Sequence, residues 1–147
     1  MTALSVWTLT TALLWLKMTG VAMLQGVVRL RSGRFRRPED AEYFGRGRGV
    51  VDDPPLAVLG QAVLRNDLET VPLFLLLLLA FALSGASASG VAAYGGLFLS
   101  SRLVHTAAYL RPRQPLRNLA FGVGTLTTLT LSVHMAYASL FSARALD

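Results

Sequence analysis

Ionisable side chains stand inside the most apolar stretches of this chain, at spacings that would bring them together on helices. Arg65 and Glu69 are four residues apart and therefore share one face of a helix, with Asn66 beside them. An ionisable side chain inside a membrane costs at least about 2.5–3.5 kcal/mol on insertion scales. Such groups therefore need a structural or a chemical reason.

A second set of polar residues lies further along the chain. Arg102, His105 and Tyr109 are spaced by three and four residues, which aligns a guanidinium, an imidazole and a phenol on one stripe of a helix. Arg117 and Asn118 open the apolar segment that follows. These residue types can bind anions and donate hydrogen bonds.

Two interpretations of these charges are open. In the first, they pair with one another and fix helix packing: Arg65 binds Glu69 within its own helix, while Arg29, Arg111 and Arg113 snorkel to lipid phosphates. In the second, they line a polar pocket that opens to the cytoplasm and suits a small, multiply anionic ligand carrying an amine. Glutathione has these groups, and Glu69 would bind its ammonium group. Other peptides and nucleotides would suit such a pocket as well.

The elements that must position these residues are four apolar blocks, each near the roughly 20 residues that one membrane crossing requires. We predict an all-α membrane protein, a single domain over residues 1–147 with four transmembrane helices at about 4–31, 54–83, 90–110 and 116–141. We predict a loop over residues 32–53. Asp53 is predicted to cap the second helix before Pro54, and Pro72 is predicted to kink that helix. Lys17 inside the first block argues against a cleaved signal peptide.

Charge placement indicates an orientation. All lysines and arginines except Lys17 and Arg144 lie in residues 29–65 and 102–117, the two regions that link the first helix to the second and the third to the fourth. The positive-inside tendency makes that side cytoplasmic and puts both termini outside. The net charge of +6 therefore reflects topology, and we expect no nucleic-acid partner.

Other aspects of composition narrow the chemistry and the source. The chain has no cysteine and only two histidines, far apart, so it offers no thiolate nucleophile and no expected metal site. It has 13 arginines but one lysine and is rich in alanine, glycine and leucine. This composition suggests a GC-rich bacterial genome, and hence a bacterial inner membrane.

Three motifs together are specific. They are RNDLET at 65–70, RLVHTAAY at 102–109, and VRLR at 28–31 followed by Pro38-Glu39-Asp40. In this combination they resemble the MAPEG family, the membrane-associated proteins of eicosanoid and glutathione metabolism, and within it the branch of the membrane prostaglandin E synthases and microsomal glutathione transferases.

The resemblance implies a homotrimer that binds glutathione between neighbouring subunits near the cytoplasmic side. It implies that Arg117 activates the thiol with help from Asn118, and that Asp40 matches an acid implicated in the prostaglandin synthase. A solvated loop carboxylate is the alternative for Asp40. The implied glutathione contacts are Arg29, Arg65, Asn66, Glu69, Arg102, His105, Tyr109, Arg117 and Phe121.

Three positions depart from the prostaglandin synthase pattern. Asn118 replaces a serine, Phe121 replaces a tyrosine and so removes a hydroxyl, and Ala62 replaces an arginine, which makes the pocket less cationic. Prostaglandin synthesis itself is therefore in question for this chain.

The resemblance implies a glutathione-dependent transferase, peroxidase or isomerase that acts on lipophilic electrophiles or lipid hydroperoxides. The alternative within the family is a non-catalytic lipid-binding protein. A small transporter or structural membrane protein is the third possibility.

Overall fold

The computed structural model describes residues 1–44, 49 and 52–143, with side chains described as far as residue 140. Every regular element in this part of the chain is helical, which confirms the all-α prediction. The five helices are α1 (Ala3–Ser32), α2 (Pro38–Tyr43), α3 (Pro55–Leu83), α4 (Ala88–Leu110) and α5 (Gln114–Ala143). The four long helices lie close to their predicted positions.

The prediction of a continuous loop over residues 32–53 is wrong in one part, because α2 interrupts it. Pro38 occupies the first turn of α2, where its missing N–H costs nothing, and Glu39 and Asp40 complement the helix dipole there. Ala41 and the preceding Phe35 are buried and anchor the segment. Residues 45–48, 50 and 51 of the predicted loop lie outside the described part.

The predicted N-cap at Asp53 is also wrong. The cap residue of α3 is Pro54, and no side chain hydrogen-bonds to the first turn. The Asp53 carboxylate instead accepts hydrogen bonds from the Arg29 guanidinium, near the end of α1. Pro72 lies inside α3 and does not interrupt the helix.

The helix ends elsewhere follow local rules. α1 ends where Gly33 adopts the left-handed conformation (φ 65°), which glycine takes without a Cβ penalty. Ser87 caps α4 by accepting a hydrogen bond from the backbone N–H of Gly90 at 3.1 Å. The Ser87 cap fixes the start of α4 directly after its short connection from α3.

An apolar core and close contacts between helices hold the bundle together. Phe74 of α3 stacks on Phe98 of α4 with ring centroids 3.8 Å apart, and Leu14 and Leu131 close the core from α1 and α5. The pairs α1–α3 and α4–α5 form the largest interfaces, and the α3–α5 interface is the smallest. Gly95 lets α4 approach α1, since a Cβ there would lie 2.7 Å from Thr10 Oγ1.

By length and hydropathy, three helices in the described part of the chain can cross a membrane: α1, α3, and α5 over Gln114–Leu140. The fourth long helix, α4, spans 23 residues but buries a more polar set, including Arg102, His105 and Thr106. The structure therefore has three helices suited to a bilayer and a fourth of similar length packed against them.

Candidate functional site

Polar and aromatic side chains of α4 and α5 face each other along the antiparallel interface; we call this set the α4–α5 polar face. Arg117 Cζ lies 4.8 Å from the Tyr109 ring centroid, and the Tyr109 and His105 rings are 5.4 Å apart. Phe121 lies 6.2 Å from the His105 ring and 5.7 Å from Arg102 Cζ. The face thus runs from a partly exposed guanidinium at one end to a buried one at the other.

Arg102, at the inner end of this face, has no exposed surface in the chain. Its Nη1 donates to Asn66 Oδ1 at 2.9 Å and to Thr70 Oγ1 at 3.3 Å, which ties α4 to α3. Its Cζ lies 5.1 Å from the Phe98 ring centroid. Among the described residues, its Nε and Nη2 have no hydrogen-bond partner.

Gly124 of α5 makes room for this guanidinium. A Cβ at position 124 would overlap Arg102 Nη2 and lie 2.8 Å from Ser101 Oγ. Because those atoms are fixed on a packed helix, any larger residue would displace them. The glycine therefore has a steric role in positioning Arg102.

A buried ion pair lies next to Arg102, and the sequence did not reveal it. Lys17 Nζ of α1 donates to Asp67 Oδ2 of α3, with side chains 5% and 0% exposed. Asp67 Oδ1 has no partner among the described residues. The sequence does show that Lys17 and Asp67 each stand within an apolar run. Because the two residues are 50 positions apart, however, the sequence does not indicate that they pair.

Arg65 and Glu69 lie on a different face of α3, which is exposed in the isolated chain. They form the intrahelical pair, Nε to Oε1 at 3.4 Å, with side chains 84% and 61% exposed. Asn66, although adjacent in sequence, points inward to Arg102. The Arg65–Glu69 pair borders an open concavity of about 720 Å³ whose other lining residues are Val58, Gln61, Ala62, Leu64 and Leu68.

Arg29 and Asp40 line a third region. Arg29 donates from Nε to Asp53 Oδ1 at 2.8 Å and from Nη2 to Oδ2 at 3.0 Å, a bidentate pair. The Arg29 guanidinium holds the pKa of the Asp53 carboxyl below its usual range. Arg29 and Asp53 line a polar cavity of about 660 Å³. The exposed Asp40 lies on this cavity, which Arg36, Arg37 and Gln61 also line.

In one chain, therefore, the predicted site residues fall into three groups. Asn66 and the α4–α5 polar face form one contiguous set, Arg65 and Glu69 lie on the outer surface, and Arg29 and Asp40 lie on the polar cavity. Asn118 is exposed near the start of α5. The α4–α5 polar face, with Asn66, offers cations and neutral hydrogen-bonding groups, which suits an anionic ligand.

Comparison with known proteins agrees with the resemblance of the motifs. The model of the MAPEG family matches residues 6–137. The chain belongs to the MAPEG family. This match covers α3 and α4 completely, most of α1 and α5, and every residue of the three regions described above.

Individual MAPEG relatives match over most of their own length. The chain is 35% identical over 130 residues to the prostaglandin E synthase of Bos taurus, covering 88% of this chain and 84% of that protein. It is 34% identical over 130 residues to the microsomal glutathione S-transferase 1 of Mus musculus, covering 85% and 83%. The predicted branch of the family and the prediction of a membrane-bound, glutathione transferase-like enzyme are confirmed.

Proposed function

We propose that this MAPEG protein is a glutathione-dependent transferase, peroxidase or isomerase that acts on lipophilic electrophiles or lipid hydroperoxides. The observation that carries the proposal is the state of Arg117. Among the described residues its guanidinium has no carboxylate within salt-bridge distance and contacts the Tyr109 ring instead. A cation held in place without an acidic partner is available to an anionic ligand.

The chemistry follows from the pKa of a thiol. A free thiol has a pKa near 8.5, so only about 3% of it is ionised at pH 7, and the thiolate is the nucleophile. A guanidinium beside the sulfur favours the thiolate, and the Asn118 amide can donate a hydrogen bond to it. The thiolate then attacks an electrophilic carbon and displaces its leaving group to form a thioether. With a hydroperoxide it attacks the outer oxygen, the O–O bond breaks, and the products are an alcohol and glutathione sulfenic acid, which a second glutathione thiol converts to the disulfide with release of water.

The exposed residues support a site completed by a second copy of the chain. Arg65 and Glu69 are solvated in one protomer, and an exposed ion pair contributes little to stability. In a homotrimer, Arg65 would bind a glutathione carboxylate and Glu69 its ammonium, while the neighbouring subunit brings Arg117. Native mass spectrometry in detergent should therefore record three chains per particle.

The proposed topology has four crossings, with the arginine-rich connections in the cytoplasm and both termini outside a bacterial inner membrane. Glutathione then enters from the cytoplasm. The lipophilic substrate arrives through the bilayer along the apolar surface of α5, where Leu119, Leu126 and Leu129 are exposed. An apolar substrate thereby meets a polar co-substrate near Arg117.

One residue favours the second candidate, a non-catalytic lipid-binding protein. Phe121 brings a phenyl ring to the α4–α5 polar face where a hydroxyl would add a donor. The lipid-binding alternative requires an apolar binding surface but no turnover.

Turnover distinguishes the two candidates. Purified protein is assayed with glutathione and either an aryl halide or a lipid hydroperoxide, alongside Arg117→Ala and, as a control, the exposed Arg113→Ala. We expect wild-type turnover, a loss of up to ~30-fold in Arg117→Ala as the thiolate fraction falls to that of free thiol, and no change in the control. Glutathione binding without turnover on any substrate would favour the lipid-binding protein.

A further inference from the structure

Three charged side chains are buried together where α1, α3 and α4 meet. Lys17 is 5% exposed, and Asp67 and Arg102 are fully buried. Two cations and one carboxylate leave one positive charge in excess. Burying a charge without compensation is costly, so an excess retained in the interior requires an explanation.

The geometry decides which cation the carboxylate neutralises. Asp67 binds Lys17, and in the described part of the chain it has no salt bridge to Arg102. The partners of Arg102 are neutral: the Asn66 amide, the Thr70 hydroxyl and two aromatic rings. The excess charge therefore resides on Arg102.

This charge lies at the inner end of the α4–α5 polar face. The titratable and charged groups on or beside this face are Lys17 from α1, Asp67 from α3, His105 and Tyr109 from the same helix as Arg102, and Arg117 from α5. Asp67 is the one carboxylate among these groups, and it forms an ion pair with Lys17. The α4–α5 polar face is thus left with a positive potential that no described side chain cancels.

We propose that Lys17 is a positioning residue for anion binding: by occupying Asp67, it keeps the charge of Arg102 available to the anionic ligand of the α4–α5 polar face. This inference rests on the proposed function, which supplies glutathione as that ligand. Lys17 does not touch the ligand; it acts through Asp67 and Arg102. What matters is the sign of the buried charge, so the two members of one ion pair must have opposite effects.

Three variants test this directly. Lys17→Met removes the excess positive charge, Asp67→Asn increases it, and the double variant Lys17→Met/Asp67→Asn restores it. Lys17→Arg is the matched control, since it keeps the charge. For each, glutathione affinity and the pH at which bound glutathione becomes thiolate are measured in detergent, with thermal unfolding recorded in parallel.

The expected order is specific. Lys17→Met should weaken glutathione binding by about tenfold, the effect of a charge roughly 10 Å away at an effective dielectric constant of about 20, and should move thiolate formation to higher pH. Asp67→Asn should bind at least as tightly as wild type although its buried lysine is unpaired. The double variant and Lys17→Arg should match wild type.

Two results would overturn the inference. Equal weakening in Lys17→Met and Asp67→Asn, or unchanged glutathione parameters in both, would mean that the pair serves helix packing alone. If Lys17→Met does not fold, Asp67→Asn and the double variant still decide, since a packing role predicts impaired Asp67→Asn. A wild-type protein without any glutathione signal is a separate outcome, which refutes the proposed function and this inference with it.

Discussion

Four arginines of this protein carry the same charge, but their partners determine whether each can bind an anionic ligand. Arg29 is held by Asp53 in a bidentate pair and Arg65 hydrogen-bonds to Glu69 at the surface. Arg102 is buried among neutral groups, and Arg117 lies against Tyr109 without a described carboxylate partner. Only the last two have charge that an anionic ligand can use without first breaking an ion pair.

The Arg29–Asp53 pair should make stability depend on pH. Because Arg29 lowers the pKa of the folded Asp53 carboxyl, the pair stabilises fully above the unfolded value of about 3.9. This contribution is lost as the pH falls from there through the lower folded pKa. Asp53→Asn should cost about 1 kcal/mol at pH 7, and its difference from wild type should vanish in acid.

Thermal unfolding in detergent between neutral and acidic pH checks this expectation. Asp52→Asn is the matched control, since Asp52 is exposed and adjacent; it should follow wild type at every pH. A destabilisation of Asp53→Asn that persists unchanged into acid would show that the carboxylate charge is not what stabilises the loop against α1.

Close packing of α5 against α4 at Gly124 brings the residues of the α4–α5 polar face together. α4 and α5 are antiparallel, so the order Arg102, His105, Tyr109 on one meets the reverse order Gly124, Phe121, Arg117 on the other. In α3, by contrast, Asn66 and Asp67 face inward while Arg65 and Glu69 face outward. One helix thus serves two surfaces with consecutive residues.

Gly124→Ala tests the α4–α5 contact. The new methyl group would overlap the Arg102 guanidinium and disturb its bond to Asn66, so we expect a destabilisation of about 1–3 kcal/mol from overpacking. Gly122→Ala is the control on the same helix, because a Cβ at 122 meets nothing within 4 Å. Equal thermal unfolding temperatures for the two variants would contradict the steric role of Gly124.

The whole molecule combines three helices suited to a bilayer with one, α4, that carries four of the eight buried polar residues in the described part of the chain. The polar side chains of α4 are covered by α1, α3 and α5, which gives this helix an environment that the lipid alone would not provide. In the proposed topology, the positively charged connections before α3 and after α4 lie together in the cytoplasm.

Single cysteines test that topology, because the natural chain has none. Ser89→Cys lies in the first turn of α4, next to the α3–α4 connection, and Arg113→Cys lies between α4 and α5; both positions are exposed. A membrane-impermeant maleimide should label Cys at 89 from outside intact cells, and Cys at 113 only after permeabilisation. The reverse labelling would invert the proposed orientation.

The sequence predicted the long helices and the α4 stripe because both follow from periodicity and apolar length. It did not predict α2, since six residues within an arginine-rich loop carry little periodic signal. Nor did it assign Asp53 to Arg29 or Asp67 to Lys17, because such pairings depend on how distant helices dock. The outward placement of Arg65 and Glu69 likewise depends on the packing of α3, which its sequence spacing leaves undetermined.

The most direct test of the account is to titrate wild-type protein and Arg117→Ala with glutathione at neutral pH while recording the ultraviolet absorbance of the thiolate. We predict a saturable thiolate signal in the wild type that is lost in Arg117→Ala and kept in Arg113→Ala. Glutathione binding without a thiolate signal, or a signal that survives in Arg117→Ala, would contradict the assignment of Arg117 as the residue that activates the thiol.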